Sequence, residues 1–573
     1  ILERDLAAFE ELEEISARKQ GDTTVKRTNY DDLPLEKAIC QKIIDGFKER
    51  SQGTFTVDGH EYKYGDKIAL QAAQIVDKYN PLDFINEHLM AAMKELGDGF
   101  ARGEVSLPHL LKSADVMKQV MGFLEEYMKV QSGTDIHDEI NYKGTIVIGT
   151  VYQDVHSIGK DLSKTLFENY GYRVIDLGVM TPLQSYIDAA KEYKADAIGM
   201  SALLVQTSNH MITVAKMMKE QGLEDTYVLI GGAPVSDRHA AYVAMAGEED
   251  VSHMRKNVFY CPTAMDGVNV MNGLMSAKDT APILEQNVDK LRKRYERAVR
   301  RAEEDATLKS TLPRRKISYD KHVLPERPWF APETVRVALP DIRDKLDLRT
   351  LFSLNWKFGG KSARDRQGTS QEGLEHLLDE WIEKAHAAGW LQPQAVRAVF
   401  PCQSEGDEVV VYSIDDPARE IARFDFDVVI GAGKEDTVCG AQYFYPKDLG
   451  KLDAIGMQIT SSGPQIEEQI AKFKAEGDSE SALYLQGLSD RVAEDLAEYI
   501  HGTLRELLGF DAKRGTRWSP GYPAITNTDN NRRIHELLEA RKRIGVQITD
   551  AGEFSPTGTT AALVTFHPDA RYM

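Results

Sequence analysis

Two hydrophobic periodicities divide the chain. Between residues 35 and 130 apolar side chains recur at helical spacing, predicting helices over 35–49, 67–78, 82–96 and 109–128. Four apolar stripes joined by short polar loops predict an antiparallel four-helix bundle, assigned to residues 26–135. The period then changes. Across 142–278, short β-branched runs alternate with helical stretches, giving strands at 145–151, 173–178, 195–200, 227–230 and 258–261. That alternation is the pattern of a doubly wound parallel sheet. Residues 279–335 are charged, with Arg292-Lys293-Arg294 and Arg314-Arg315-Lys316 followed by Pro325, Pro328 and Pro332. They read as a helix leading into an extended, solvated tether. Residues 336–573 mix helices with strands at 395–400, 408–412 and 452–460, an α+β domain. A charged segment over 1–25, including Glu10-Glu11-Leu12-Glu13-Glu14, reads as a linker helix or the end of a preceding domain.

Composition narrows the class. At 573 residues the chain exceeds a single hydrophobic core. A net charge of -20, with no basic face interleaved with aromatics, argues against nucleic acid as a partner. No apolar run is long enough for a bilayer span, and the first residues do not form a signal peptide. Cys40, Cys261, Cys402 and Cys439 are too scattered for a zinc-ligand pair or a disulfide framework. A reducing cytoplasm and four inert thiols are therefore expected. The chain starts at Ile1, so a fragment of something longer is also expected.

Candidate chemistry gathers on strand ends. Asp154-Val155-His156-Ser157-Ile158-Gly159 leaves the first predicted strand and enters a helix. In an α/β fold that loop lies at the carboxyl edge of the sheet, where ligands bind. A neutral imidazole there can ligate a metal, and Asp154 can fix its tautomer through the other ring nitrogen. A histidine on such a loop can also be a surface or capping residue. Ser201-Ala202 and Gly231-Gly232-Ala233 end two further strands on the same edge, and Ala264 follows the last strand. Gly159, Gly231 and Gly232 leave room for a bulky ligand.

The Asp154/His156/Gly159 spacing resembles the Asp-x-His-x-x-Gly motif of cobalamin-binding domains. The resemblance implies that His156 is the lower axial metal ligand of methylcobalamin. It also implies that Asp154 and Thr207 form a hydrogen-bond relay, and that Gly159, Ser201, Gly231, Gly232, Ala233 and Ala264 contact the cofactor. The run from Gly97 to Gln119 is similar to the helical cap of cobalamin-dependent methionine synthase, in which Phe100 and Leu107 would cover the methyl group. Both could be ordinary bundle core, and Leu107 alone reads equally as either, but the whole matching run favours the cap. Arg517-Trp518-Ser519-Pro520-Gly521-Tyr522-Pro523-Ala524 resembles the reactivation-domain segment of that family, which binds S-adenosylmethionine. Arg517, Gly521, Tyr522 and Ala524, with Glu494 and Asp347, would be its contacts.

Some positions depart from the family pattern. Thr207 stands where a serine is expected, Leu563-Val564-Thr565 lacks an aromatic pair containing tyrosine, and the segment between Glu494 and Arg517 is short. The resemblance covers nearly the whole chain as cap, cobalamin and reactivation domains. It implies methyl transfer through cobalt to homocysteine, with repair by S-adenosylmethionine and an electron from a flavodoxin-like or other reductase. The basic run of the tether reads as either a reductase-docking surface or a solvated face. No zinc-binding cysteine cluster for homocysteine and no barrel for methyltetrahydrofolate is found, so those modules or subunits are expected elsewhere. A corrinoid methyl-shuttle serving a different methyltransferase is the alternative. A mutase-type adenosylcobalamin subunit fits the cap and the Arg517 segment less well.

Overall fold

The computed structural model describes residues 29–132, 140, 142–248, 250–550 and 552–572; the charged helix expected over 1–25 lies outside them. The N-terminal unit contains the helices Leu35–Ile44, Ile68–Ile75 and Leu107–Ser132. Its remaining helical stretch is Pro81–Phe84, a π-turn at Ile85–Leu89, and Met90–Ala101. It also contains an antiparallel hairpin, Arg50–Val57 with His60–Asp66. The sequence reading missed the hairpin and ran the first helix five residues too far. Its strands are mostly polar, so their alternation is weak. The Asp58-Gly59 turn, with φ of 49° and 81°, closes the hairpin. Phe55 and Tyr62 then pack on Phe123 of the long helix, with ring centroids 5.4 and 5.2 Å away.

Five parallel strands form the middle unit. Across the sheet they run Arg173–Asp176, Thr145–Thr150, Ala197–Ser201, Tyr227–Gly231 and Val258–Tyr260. The strand order reverses between the first and third strands in sequence, which opens a crevice at their carboxyl ends. One sheet face shares a core with the N-terminal unit: Ile146, Leu166, Phe167 and Met271 pack in the cluster that holds Leu96, Leu107 and Leu110. The Tyr170 hydroxyl donates to the Gly97 carbonyl at 2.6 Å across this contact. The cap is thus seated beside the sheet rather than over its carboxyl edge.

Most of the tether faces solvent, as its composition implies, but it is anchored to its neighbours at several points. Val288 and Leu291 of the helix Ala281–Thr311 are buried against the middle unit, and Arg294 pairs with Asp237 at 2.9 Å. Beyond the helix, Arg314 pairs with Asp407 and Arg315 forks onto Asp436 at 2.7 and 2.8 Å. His322 is fully buried with Nε2 2.9 Å from Asp453 Oδ2. An apolar stripe and buried partners far along the chain therefore hold a segment whose composition alone looked solvent-facing.

The C-terminal unit is built on an antiparallel sheet. Its path is Glu420–Asp425, Glu408–Tyr412, Gln394–Glu405, Asp453–Ser461, Thr559–Thr565 and Thr516–Trp518, with Phe330–Arg336 also paired to Gln394–Glu405. The 29-residue helix Ser479–Leu507 lies on this sheet. Gln458 and Thr460 donate from the sheet to the helix carbonyls of Ala497 and Ala493 at 2.8 and 2.9 Å. These contacts fix the helix rotation and turn Gln486, Asp490 and Glu494, one row at a spacing of four, toward the middle unit. Among the described residues no helix is long and apolar enough to cross a membrane.

Candidate functional site

Asp154 and His156 sit at the crevice where the parallel-sheet order reverses. The turn begins with the Thr150 hydroxyl, which donates to the Asp154 carbonyl at 2.6 Å. The Asp154 carboxylate is fully buried but amply met. Oδ1 accepts the His156 backbone N–H at 3.0 Å and lies 3.2 Å from the His156 Nδ1. Oδ2 accepts the Leu203 N–H at 2.6 Å and the Thr207 hydroxyl at 2.8 Å. Burial alone would raise the carboxyl pKa, but these donors hold it below the usual range. Burial likewise opposes charge on His156, yet Asp154 and then Glu553 outweigh it and push the imidazole up to about 9. Because Nδ1 is the nitrogen that meets the carboxylates, the opposite nitrogen, Nε2, is the one suited to ligation.

A cavity of about 370 Å³ borders His156, Gly159, Ser201, Ala202, Gly232 and Ala233 at the sheet edge. Gly232 has φ of 125°, and a Cβ there would lie 1.9 Å from the Ala202 carbonyl oxygen. At Gly231 a Cβ would come within 2.8 Å of the Cys261 carbonyl oxygen, and at Gly159 within 3.3 Å of the Ser201 hydroxyl. The close backbone approach at this edge therefore needs the small residues present. Ala264 stands apart from the cavity. It opens the helix Ala264–Ser276 behind the Thr263–Asp266 capping box and packs against the shared core.

The opposite wall comes from the C-terminal unit. Gln486, Asp490, Glu494 and residues 557–560 face His156 across the cavity. Neither expected cap residue borders it. Phe100 packs against the shared core, and Leu107 lines an adjoining cavity of about 310 Å³ between the cap, the helix Ile158–Asn169 and the helix Ser479–Leu507. Asp490 borders both cavities, and burial pushes its carboxyl up to about 6. Further contacts join the units: Lys474 pairs with Asp161 at 2.5 Å, and Gln206 donates to the Thr528 hydroxyl at 2.9 Å.

Arg517, Glu494 and Tyr522 also come together. Arg517 lies 3.7 Å from Glu494 and 3.4 Å from Glu498. Nearby Glu494 adds to burial in raising the Tyr522 hydroxyl pKa. Gly521, at φ 93°, makes the tight turn that leaves Tyr522 half-exposed. Ala524 is 1% exposed inside the core, and its carbonyl accepts the Asp427 N–H at 2.9 Å. Its side chain therefore supports the turn from beneath. Asp347 caps a short helix by accepting the Thr350 N–H and hydroxyl at 3.2 and 2.6 Å. Its own N–H donates to Asp495, which the Arg491 guanidinium also grips. Asp347 thus sits beside the row of Ser479–Leu507 adjacent to Glu494 and Glu498.

Two residues were missed in sequence. Glu553 is 4% exposed, and its Oε1 lies 3.4 Å from His156 Nδ1. Nothing in its short glycine-containing hairpin marks it before the units are docked. Asp490 carried a legible signal, because it precedes Glu494 by one helical repeat of four and shares its face.

Comparison with known proteins agrees with this layout. Residues 338–573 match the family described as vitamin B12 dependent methionine synthase, activation domain. Residues 144–252 and 65–125 match two families of B12 binding domain. The methionine synthases of Mycobacterium tuberculosis and Mycobacterium leprae are each 29% identical over 94% of this chain and 46% of their own length. The chain therefore spans about half the length of these relatives. A MetH reactivation domain bound to AdoHcy aligns at 23% identity with a TM-score of 0.41, covering 47% of this chain and 87% of its own. The methanol:cobalamin methyltransferase complex MtaBC from Methanosarcina barkeri aligns at 22% identity and a TM-score of 0.36, covering 48% of this chain and 93% of its own.

Proposed function

From a chain that carries the B12-binding and activation domains of the vitamin B12 dependent methionine synthase family, we propose the cofactor-carrying and repair half of a methyltransferase. One observation carries this reading: the Thr207–Asp154–His156 chain at the sheet edge faces an activation-domain helix across a single cavity.

The residues fit a corrinoid. The glycine and alanine cradle leaves backbone open to a bulky ligand, and a Cβ at Gly231 or Gly232 would collide with the Cys261 or Ala202 carbonyl and displace the strand ends that form it. His156 would hold the corrinoid metal through Nε2, and Asp154 would hold the proton on Nδ1. Thr207 would steady the carboxylate by its donated hydrogen bond, while Ser201 would meet the buried nucleotide tail. Bound there, cobalt would supply a centre that accepts and releases a methyl group on its way to a homocysteine thiolate. Protonation of the relay would weaken the hold of His156 on the metal.

Activation-domain residues rather than Phe100 and Leu107 border the His156 cavity, which supports a repair arrangement. In it the Arg517 guanidinium would pair with the carboxylate of S-adenosylmethionine, and Glu494 and Asp347 would attract its positive groups. Methyl transfer to substrate would require the cap to replace the activation domain over His156. Substrate modules and a flavodoxin-like or other reductase would be the partners.

The test loads the chain with cob(II)alamin, supplies a chemical reductant and S-adenosylmethionine labelled in its methyl group, and follows label onto the protein-bound cofactor. Label transfer that falls at least tenfold in Arg517→Ala supports the reading. Cobalamin binding without transfer would instead favour a corrinoid shuttle serving another methyltransferase.

A further inference from the structure

Three donor groups from two domains converge beside His156. Its Nδ1 lies 3.2 Å from Asp154 Oδ1 and 3.4 Å from Glu553 Oε1. One ligand atom from each residue falls within 4.8 Å of the others. Asp154 and His156 sit on the loop after the strand Thr145–Thr150, and Glu553 on the hairpin that pairs Gln547–Ile548 with Phe554–Ser555. The Glu553 side chain is almost wholly buried. Its Oε2 accepts a long hydrogen bond of 3.5 Å from the Val155 N–H, while Oε1 accepts no well-formed hydrogen bond among the described residues. A buried carboxylate oxygen in that condition needs a cation beside it, either the protonated His156 that it faces at 3.4 Å or a bound ion in its place.

The spacing favours a shared ion over a second hydrogen bond. The 3.4 Å contact with Glu553 is well beyond the usual N–H···O separation of about 2.9–3.0 Å, so it is at best a weak hydrogen bond. Metal–donor bonds of about 2.0–2.2 Å, at tetrahedral to octahedral angles, place neighbouring donors about 2.8–3.6 Å apart. Both separations at Nδ1 fall inside this interval. One imidazole nitrogen with two carboxylate oxygens is a donor set suited to zinc-class divalent ions, with water completing the shell.

We propose that His156 Nδ1, Asp154 Oδ1 and Glu553 Oε1 hold a zinc-class divalent ion when no corrinoid is bound, clamping the B12-binding domain to the activation domain. On binding, Nδ1 gives its lone pair to the ion, any proton it carried passes to solvent, and the imidazole keeps one proton on Nε2. That nitrogen then has no lone pair for a second metal. The ion and lower-face ligation of a corrinoid therefore exclude one another, and the ion would hold His156 in the domain arrangement seen here.

The test uses the full chain freed of corrinoid and treated with a chelator. Zinc chloride is titrated by calorimetry and cobalt(II) chloride by visible absorption, with wild type compared to Glu553→Gln and circular dichroism confirming that the variant is folded. One tight ion per chain is expected, with a cobalt(II) spectrum unlike the aqueous ion and affinity reduced at least tenfold in the variant. Zinc should also slow amide exchange at 151–158 and 553–560 in wild type alone. Identical titrations of the two proteins would overturn the proposal, as would a cobalt(II) spectrum matching the aqueous ion. Methylcobalamin binding, measured on the same samples, reports on the corrinoid reading separately.

Discussion

The Thr207 hydroxyl donates to Asp154 Oδ2 at 2.8 Å, while Oδ1 of the same carboxylate faces His156 Nδ1 at 3.2 Å. One buried aspartate thus connects a helix after the third strand to the loop after the first. The serine expected at position 207 is a threonine, and the donor is preserved; its methyl group is accommodated in a site that is 1% exposed. Thr207→Val keeps the shape and removes the donor from a buried carboxylate, a loss of about 1–3 kcal/mol. Thr207→Ser keeps the donor and should lose only about 0.8 kcal/mol for the buried methyl group it removes. Thermal unfolding of the three proteins, with methylcobalamin affinity beside it, checks the ordering.

Gly232 is the position where substitution is least tolerable. Its φ of 125° strains any other residue, and a Cβ would sit 1.9 Å from the Ala202 carbonyl oxygen. Backbone strain alone costs about 1–3 kcal/mol, and the overlap must be relieved by moving the strand end that lines the cavity. Gly232→Ala should therefore lower the melting temperature and weaken methylcobalamin binding together. A variant that melts and binds as wild type would remove the cradle from the argument.

The cap is pinned to the activation domain by a small polar knot. Asp115 accepts Lys48 Nζ, the Ser479 N–H and the Ser479 hydroxyl, each at 2.8 Å. Asp478 adds Lys48 at 3.4 Å and Arg50 at 2.6 Å. Asp115→Ala leaves the Ser479 N–H without its acceptor, at a cost of about 1–3 kcal/mol, and loosens the contact without touching either core. Faster amide exchange at 479–483 and at 107–115, with the sheet unchanged, is the expected result.

Acid should weaken the C-terminal unit through His567. Burial, and then the neighbouring His322, depress its pKa to about 4. Its Nε2 donates to the Ser318 carbonyl at 3.1 Å and Nδ1 accepts the Asp569 N–H at 3.1 Å, so a second proton would face a donor. Tyr319, Tyr443 and His322 ring it at centroid distances of 5.8, 5.4 and 4.8 Å, and Asp453 and Asp569 oppose the shift weakly. The unfolded histidine takes its proton near pH 6.5. Stability is therefore full above that pH and falls as pH drops from about 6.5 toward about 4. Calorimetric melting across this window should show the loss, with a shallower slope in His567→Gln.

Much of the site was legible because it is local. The Asp154-to-Gly159 loop follows an apolar strand, so its place at the sheet edge follows from α/β topology. Ser201 and Gly232 follow from the same rule, and both border the His156 cavity. What sequence could not reveal depends on docking between units. Glu553 reaches His156 only where the C-terminal unit meets the sheet edge, from a hairpin 397 residues along the chain. Phe100 and Leu107 lie where the helices run past their expected ends at 96 and 109, and the cap packs on the sheet flank and takes both from His156. The hairpin Arg50–Val57/His60–Asp66 was hidden by polar strands, and the anchoring of the tether by partners 57 to 131 residues away.

The central claim is that His156 ligates a corrinoid from below, and the absorption spectrum of the purified chain with methylcobalamin tests it most directly. Wild type should show the spectrum of a cofactor whose own base has been displaced by a protein nitrogen, and His156→Gly should lose that feature while remaining folded. Coincident spectra, or no binding by wild type, would contradict the account.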